Sequence, residues 1–228
     1  EGLLSAEEQR RMIETVCHAG GMVSMRALPC GGESPYELNT TFYEALTETF
    51  DGPDTLHLER FICSQTIVMS LEGIPAFYIH SLLATPNDHE AVEKRGMNRA
   101  INRHRWDYSA LRGLLDDGSS LQARVLNALR ERLELRKKQS AFHPNATQFT
   151  LNSDDDRVFT IWRQSLDRSQ SIFALHNVSK DEVALPSHHL NLIEDETWID
   201  LLTGEHLAMM DGTITLAPYQ CRWITNAP

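Results

Sequence analysis

Apolar and polar positions along the chain recur with two different periods, and the change falls near His143-Pro144. Upstream the spacing is mostly helical. Ser5-Ala-Glu-Glu8 predicts a capping box, since Ser5 can accept a backbone N–H three residues on while Glu8 reaches back. The helix it opens runs to about His18, and Gly20-Gly21 stops it. A second helix is expected from Leu56 to about Leu71, with Ile62, Thr66 and Met69 near one face. Gly73-Ile-Pro-Ala-Phe-Tyr-Ile-His80 is apolar on both faces and too brief for a helix, which predicts a short buried strand. A third helix spans about Ser119–Lys138, its stripe drawn by Leu121, Val125, Leu129, Leu133 and Arg136.

Helix, buried strand, long loop and helix is the order of a parallel β/α unit. Yet the chain offers only one strand of that kind, and one parallel strand cannot make a sheet. Downstream the period becomes two. Strands are expected at Gln148–Leu151, Arg157–Arg163, Ser171–Val178, Glu182–Leu185, Trp198–Leu202, Thr213–Leu216 and Gln220–Thr225. Turn signals separate them, such as Asn152-Ser-Asp-Asp-Asp156, Leu202-Thr-Gly-Glu205 and Asp211-Gly212. The fold class is therefore α/β plus all-β, with an antiparallel sandwich over the last third.

Composition narrows the function. The 228 residues are 41% hydrophobic and 23% charged, enough for a sizeable core. Net charge is −11, which argues against nucleic acid and anionic membranes as partners. The longest apolar run, Thr66–Ile79, is interrupted by Glu72, Gly73 and Pro75, so nothing spans a bilayer. Four cysteines (Cys17, Cys30, Cys63, Cys221) lie far apart, which points to a reducing cytoplasm. The chain opens at Glu1 with no basic or apolar leader, as a processed protein or a piece of a longer one would.

Candidate chemistry is confined to two segments. Glu90–Arg105 holds Lys94, Arg95, Arg99, Arg103 and Arg105 against Glu90 and Glu93, and it follows the expected strand. Loops at strand C-termini carry the site in β/α folds, and the planar fork of arginine suits phosphate or a polyhydroxylated ligand. Charge alone favours a solvated loop with local ion pairs. Gly31-Gly-Glu-Ser-Pro-Tyr-Glu-Leu-Asn39 reads as a mobile loop whose Tyr36, Glu37 and Asn39 can meet sugar hydroxyls, although an ordinary helix connection with Tyr36 on the core fits better. No metal site is expected. His188-His189 would face opposite ways in a strand, Asp88-His89-Glu90 has the same difficulty, and Asp154-Asp-Asp156 lacks the spaced ligands of a calcium loop. His176 is expected to end a core strand, and Trp106 is the best candidate for an exposed tryptophan, with Trp162, Trp198 and Trp223 expected mostly in the core. No nucleophile motif is present, and no cofactor is expected.

The run Gly73-Ile-Pro-Ala-Phe-Tyr-Ile-His-Ser-Leu-Leu83, then Asn87-Asp88, then Gly96-Met-Asn-Arg-Ala-Ile-Asn-Arg-His104 resembles the sucrose phosphorylase-like enzymes of glycoside hydrolase family thirteen, in the α-amylase superfamily. Ser34-Pro-Tyr-Glu-Leu-Asn39 is similar to their mobile acceptor loop, and Pro218-Tyr-Gln-Cys-Arg-Trp-Ile224 to the last strand of their C-terminal β-domain. The resemblance implies that residues 1–143 are the C-terminal part of a (β/α)8 catalytic barrel and 144–228 an antiparallel β-domain. It also implies that the nucleophile Asp, the acid/base Glu and the stabilising Asp lie upstream of residue 1, so no catalytic residue is assigned here. Substrate binding falls to Arg99, Tyr36, Glu37, Asn102, Arg103 and His104. Partners would be a sugar substrate, inorganic phosphate, and the missing N-terminal part of the enzyme or a second copy. Ser34 and Glu37 stand where sucrose phosphorylases carry Asp and Gln, which puts fructose in doubt as the leaving group. Tyr78-Ile-His-Ser81 points to the branch acting on glucosylglycerate or glucosylglycerol, glucosylglycerate being preferred. Open alternatives are a sucrose phosphorylase or α-glucosidase fragment, and a non-catalytic sugar-binding or packing module.

Overall fold

The computed structural model describes residues 3–190, 197–207 and 212–227. Helix α1 (Ala6–His18) is followed by the antiparallel strands β1 (Met22–Ala27) and β2 (Glu33–Asn39) and by the two-residue strands β3 (Glu48–Thr49) and β4 (Gly52–Pro53). After α2 (His57–Ser70) come α3 (Ile79–Leu82), α4 (His89–Arg95), α5 (Tyr108–Asp116) and the long α6 (Leu121–Lys138). Strands β5 (Thr147–Leu151), β6 (Val158–Gln164), β7 (Ser171–Asn177), β8 (Val183–Pro186), β9 (Ile199–Asp200), β10 (Thr213–Leu216) and β11 (Cys221–Thr225) complete the described chain. It divides into two compact units, Glu1–His57 with Phe77–Leu126, and Leu58–Ala76 with Asn127–Pro228.

In the first unit α1 begins as its sequence requires. Ser5 Oγ accepts from Glu8 N at 3.2 Å, and Glu8 Oε2 accepts from Ser5 N at 2.7 Å. The expected loop over Gly31–Asn39 is instead the second strand of a hairpin. Gly31 and Gly32 have φ of 88° and 83°, a left-handed conformation that glycine enters without a Cβ penalty, and they reverse the chain. Beyond them Glu33–Asn39 pairs with Met22–Ala27. The basic stretch expected as a long loop is partly helical, forming α4 and a 3-10 turn at Asn98–Asn102.

The second unit follows the period-two reading closely. Strands β5-β6-β7-β11-β9 form one antiparallel sheet and β8-β10 another. Phe173 and Leu175 of β7, Val158 of β6, Ile224 of β11, Leu185 of β8 and Leu216 of β10 share one apolar core. The opposite side of β7 is covered by α2. Trp223 Nε1 donates to Ser70 Oγ at 2.9 Å, and that oxygen lies 2.9 Å from His176 Nε2. His176 is fully buried near the end of β7, and its Nδ1 donates to Phe159 O at 2.9 Å, which leaves Nε2 as an acceptor. Both faces of β7 are thus buried, which is why its middle, Ile172–Leu175, is apolar without alternation. Trp223 and Trp198 are buried and Trp162 stacks between Phe149 and Phe173. Ser187–Leu190 is a 3-10 turn and not a strand; the side chains of His188 and His189, and Asp211 of the expected turn, lie outside the described residues.

The strand expected over Gly73–His80 is not formed. Gly73 N donates to Pro144 O at 3.3 Å and Tyr78 O accepts from Ser81 N, but the backbone of residues 74–77 makes no hydrogen bond among the described residues. A parallel strand exists only through its neighbours, and every described pairing is antiparallel. Nor is the segment buried: Ile74 is 83% exposed and Tyr78 54%.

The preceding end of α2 is held by two buried guanidinium groups. Arg136 Nη1 donates to Met69 O and its Nη2 to Gly73 O at 2.9 Å; Arg163 Nη1 donates to Ser70 O at 3.2 Å and its Nη2 to His143 O at 2.9 Å. The Met69 and Ser70 carbonyls are among those a helix end leaves without internal donors. Replacing Arg163 with Met removes the donor to Ser70 O and His143 O, and urea denaturation should show a loss of about 2–3 kcal/mol, against less than about 0.5 for Arg112→Ala at an exposed pair.

Burial holds His176 at about 4, well below its ordinary value. The unfolded chain takes up that proton near pH 6.5, so stability falls as pH drops from about 6.5 to about 4, by roughly 3 kcal/mol in total. His176→Gln should flatten that limb of the stability profile; an unchanged limb would show that other groups produce it.

Candidate active site

All six residues nominated for substrate binding fall in the first unit. Two devices place them. The first is a β-bulge. Ser24 is paired with Glu37 and Met25 with Pro35, so Tyr36 is the extra residue on β2. Neighbours in a regular strand point to opposite faces, and a bulge re-aims them. Arg99 Nε donates to Glu37 Oε2 at 2.8 Å, and this bond, with a smaller contribution from Tyr36, raises the Arg99 pKa above its ordinary value. The hydrogen bond from Arg99, with the charge of Arg103 beyond it, holds the Glu37 carboxyl below its ordinary range. Arg26 lies 6.0 Å over the Tyr36 ring.

The second device is the stretch from Asp88 to His104. Asp88 caps α4 through Ala91 N at 2.8 Å, and Gly96, with φ of 64°, ends that helix in the left-handed conformation. Ala100 and Ile101 in the 3-10 turn are fully buried against Val92 and Met22, while Arg99 beside them stays on the surface. Asn98 Nδ2 ties the turn to β1 through Val23 O at 3.4 Å.

The remaining nominees are arranged around this pair. Asn102 Nδ2 donates to Thr40 O at 3.4 Å, and its carbonyl accepts from Tyr78 Oη at 3.2 Å. His104 Nδ1 donates to Asp88 Oδ2 at 2.7 Å, and this bond is the main cause of the lowered Asp88 pKa. Arg103 is exposed. Trp106, expected on the surface, is half-buried: its ring meets His104 edge-on at 4.9 Å and its Nε1 donates to Thr85 Oγ1 at 3.1 Å. The same hydroxyl lies 3.1 Å from His80 Nδ1, and desolvation, aided by the nearby His104, lowers the His80 pKa.

Sequence reasoning weighed Asp88 as a metal ligand and as part of the resemblance, with no role assigned, whereas its two oxygens serve a helix cap and a histidine. The signal for that use was an Asp immediately before a short helical run. No group of three or more metal-ligating side chains converges among the described residues. The arrangement offers a clustered cation, phenol and carboxylate for binding a polyhydroxylated or anionic ligand, and no nucleophile.

No protein-family model matches the sequence. A glucosylglycerate phosphorylase from Spirochaeta thermophila is 35% identical over 98% of this chain and 39% of its own length. One from Escherichia coli is 34% identical over 98% of this chain and 38% of its own length. The chain therefore spans about two fifths of the curated relatives it matches. Among solved structures, the sucrose 6F-phosphate phosphorylase of Thermoanaerobacter thermosaccharolyticum covers 95% of the chain with a TM-score of 0.63 and 18% identity, the chain covering 37% of it. The fold is thus shared with that enzyme, and by sequence nearly the whole chain is similar to about two fifths of the glucosylglycerate phosphorylases.

Proposed function

We propose that this chain is the C-terminal portion of a retaining glycosyl phosphorylase that transfers a glucosyl group from glucosylglycerate to inorganic phosphate, giving α-glucose 1-phosphate. The observation that carries the reading is identity of 34–35% to glucosylglycerate phosphorylases over 98% of the chain. In such a reaction a carboxylate attacks the anomeric carbon while a carboxylic acid protonates the departing acceptor. A phosphate oxygen then displaces the carboxylate from the glucosyl-enzyme. Both carboxyl groups belong to the part of the enzyme upstream of residue 1. This chain supplies the binding side: Arg99, Tyr36 and Glu37 at its centre, with Asn102, Arg103 and His104 around them.

The division into a barrel remnant over 1–143 and a β-sandwich over 144–228 belongs to the same reading. Two antiparallel sheets around one core support the sandwich. The unpaired backbone of residues 74–77 supports a barrel strand whose neighbours are supplied by the rest of the enzyme. Exposed Ile74 and Ile79 are then covered by that part, or by a second copy when it is missing. A cytoplasmic location fits the four free cysteines. A sugar-binding module built on tryptophan platforms finds less support, because Trp223 and Trp198 are buried and Trp162 and Trp106 are half-buried.

The full-length protein, assayed for release of glucose 1-phosphate, should show a higher kcat/KM with glucosylglycerate than with glucosylglycerol or sucrose, and the 228-residue chain alone should show none. Faster turnover of sucrose would overturn the acceptor assignment, and turnover by the chain alone would overturn the placement of the carboxylates. In the full-length protein Arg99→Ala should cost roughly 2–4 kcal/mol in kcat/KM, the range for lost hydrogen bonds to a charged group in a site. A loss below about tenfold would remove Arg99 from the site.

A further inference from the structure

We infer that Asp88 is a positioning residue that fixes Arg99 by closing both ends of the segment that carries it; this rests on the substrate-site reading above. One residue makes three bonds across the segment. Asp88 Oδ1 accepts from Ala91 N at 2.8 Å, its Oδ2 accepts from His104 Nδ1 at 2.7 Å, and its own N–H donates to Ile101 O at 2.8 Å. The first bond starts α4, the third holds the 3-10 turn beside Arg99, and the second closes the loop at residue 104. His104 is steadied from its other side by Trp106, and Trp106 by Thr85.

Arg99 needs such support from its backbone. Its only direct ion pair among the described residues is with Glu37, and the two side chains are 53% and 33% exposed. A pair that wet adds little rigidity, because solvent screens it and two long side chains must be ordered to form it. The orientation of Arg99 is therefore set by where residues 98–102 sit. Ala100 and Ile101 anchor that turn through packing, the backbone N–H of residue 88 anchors it at the Ile101 carbonyl, and the Asp88 carboxylate holds that backbone in place by capping α4 and binding His104. The carboxylate itself is held ionised by His104, the Ala91 amide and Arg95, with Lys94 nearby. Positioned groups of this kind matter for catalysis because small displacements of a binding side chain cost rate steeply.

Two measurements test the inference. The first needs no enzymology: hydrogen–deuterium exchange of the chain, comparing Asp88→Ala with Asp107→Ala, which removes the same kind of cap from α5. Exchange at residues 96–103 should rise at least tenfold in Asp88→Ala and stay unchanged in Asp107→Ala. Unchanged exchange in Asp88→Ala overturns the clasp. The second is a double-mutant cycle in the full-length protein. Asp88→Ala should lower kcat/KM at least tenfold when Arg99 is present, with the same split between kcat and KM as Arg99→Ala, and less than twofold in the Arg99→Ala background. Equal losses in both backgrounds overturn positioning through Arg99. Asp88→Asn, which keeps an oxygen for Ala91 but not the carboxylate, should lie between wild type and Asp88→Ala in both measurements, and it carries the test if Asp88→Ala does not fold. A wild-type enzyme without phosphorolysis would sink the proposed function, while the exchange result would still decide the clasp.

Discussion

The second unit depends on how the end of α2 finds hydrogen-bond donors. Four carbonyls between Met69 and Gly73 receive them from two arginine side chains, one on α6 and one on β6. Neither guanidinium is in an ion pair among the described residues, and burial depresses both, Arg136 to about 10. A buried cation without a carboxylate is costly unless its N–H groups are used and the local field is negative. A helix C-terminus supplies both, through unpaired carbonyls and the negative end of the macrodipole. The Phe142 ring lies 5.0 Å from the Arg136 guanidinium and 5.8 Å from that of Arg163, giving both a polarisable surface. Helix, sheet and the residues after α6 are thereby joined at one point.

The candidate site obeys a different constraint. Candidate residues from one strand can converge only if its regular alternation of side chains is broken. The bulge at Tyr36 re-aims the two residues out of regular alternation, and Glu37 pairs with Arg99 at 2.8 Å. Pro35 sits beside the bulge, where a missing N–H is tolerated because the ladder is already broken. The same irregularity that aims the side chains is what hid the strand in the sequence.

Legibility followed from where each element's partners lie. The seven β-domain strands were readable because alternation and turn residues are local, and β7 deviated from alternation for a visible reason, burial on both faces. Helices α1, α2 and α6 were readable from caps and spacing. The β1–β2 hairpin was not. Gly31-Gly32, Pro35 and the polar Ser34, Glu37 and Asn39 all favour a loop, and only pairing with Met22–Ala27 overrides them. Ile74–Phe77 failed in the opposite sense: its composition demands a buried strand, but strand formation is a property of neighbours that these residues do not include. Of the candidate site, charge spacing pointed to Arg99 and Arg103, the composition of Gly31–Asn39 offered Tyr36 and Glu37, and the resemblance added Asn102 and His104. Asp88 escaped because capping and clasping are read from geometry, not from residue type.

The two units use the same physics with opposite sign. In the second, cationic side chains satisfy the carbonyls at the end of a long helix, and the result is a buried junction. In the first, an anionic side chain satisfies an amide at the start of a short helix, and its second oxygen is free to hold His104. A helix of seven residues is marginal on propensity alone, so its cap decides whether it forms. Placing the cap and the loop closure on one carboxylate makes helix, turn and Arg99 order together. Packing of the buried Ala100 and Ile101 holds the middle of the turn, and the shared carboxylate holds the two ends of the segment by hydrogen bonds while Arg99 stays exposed.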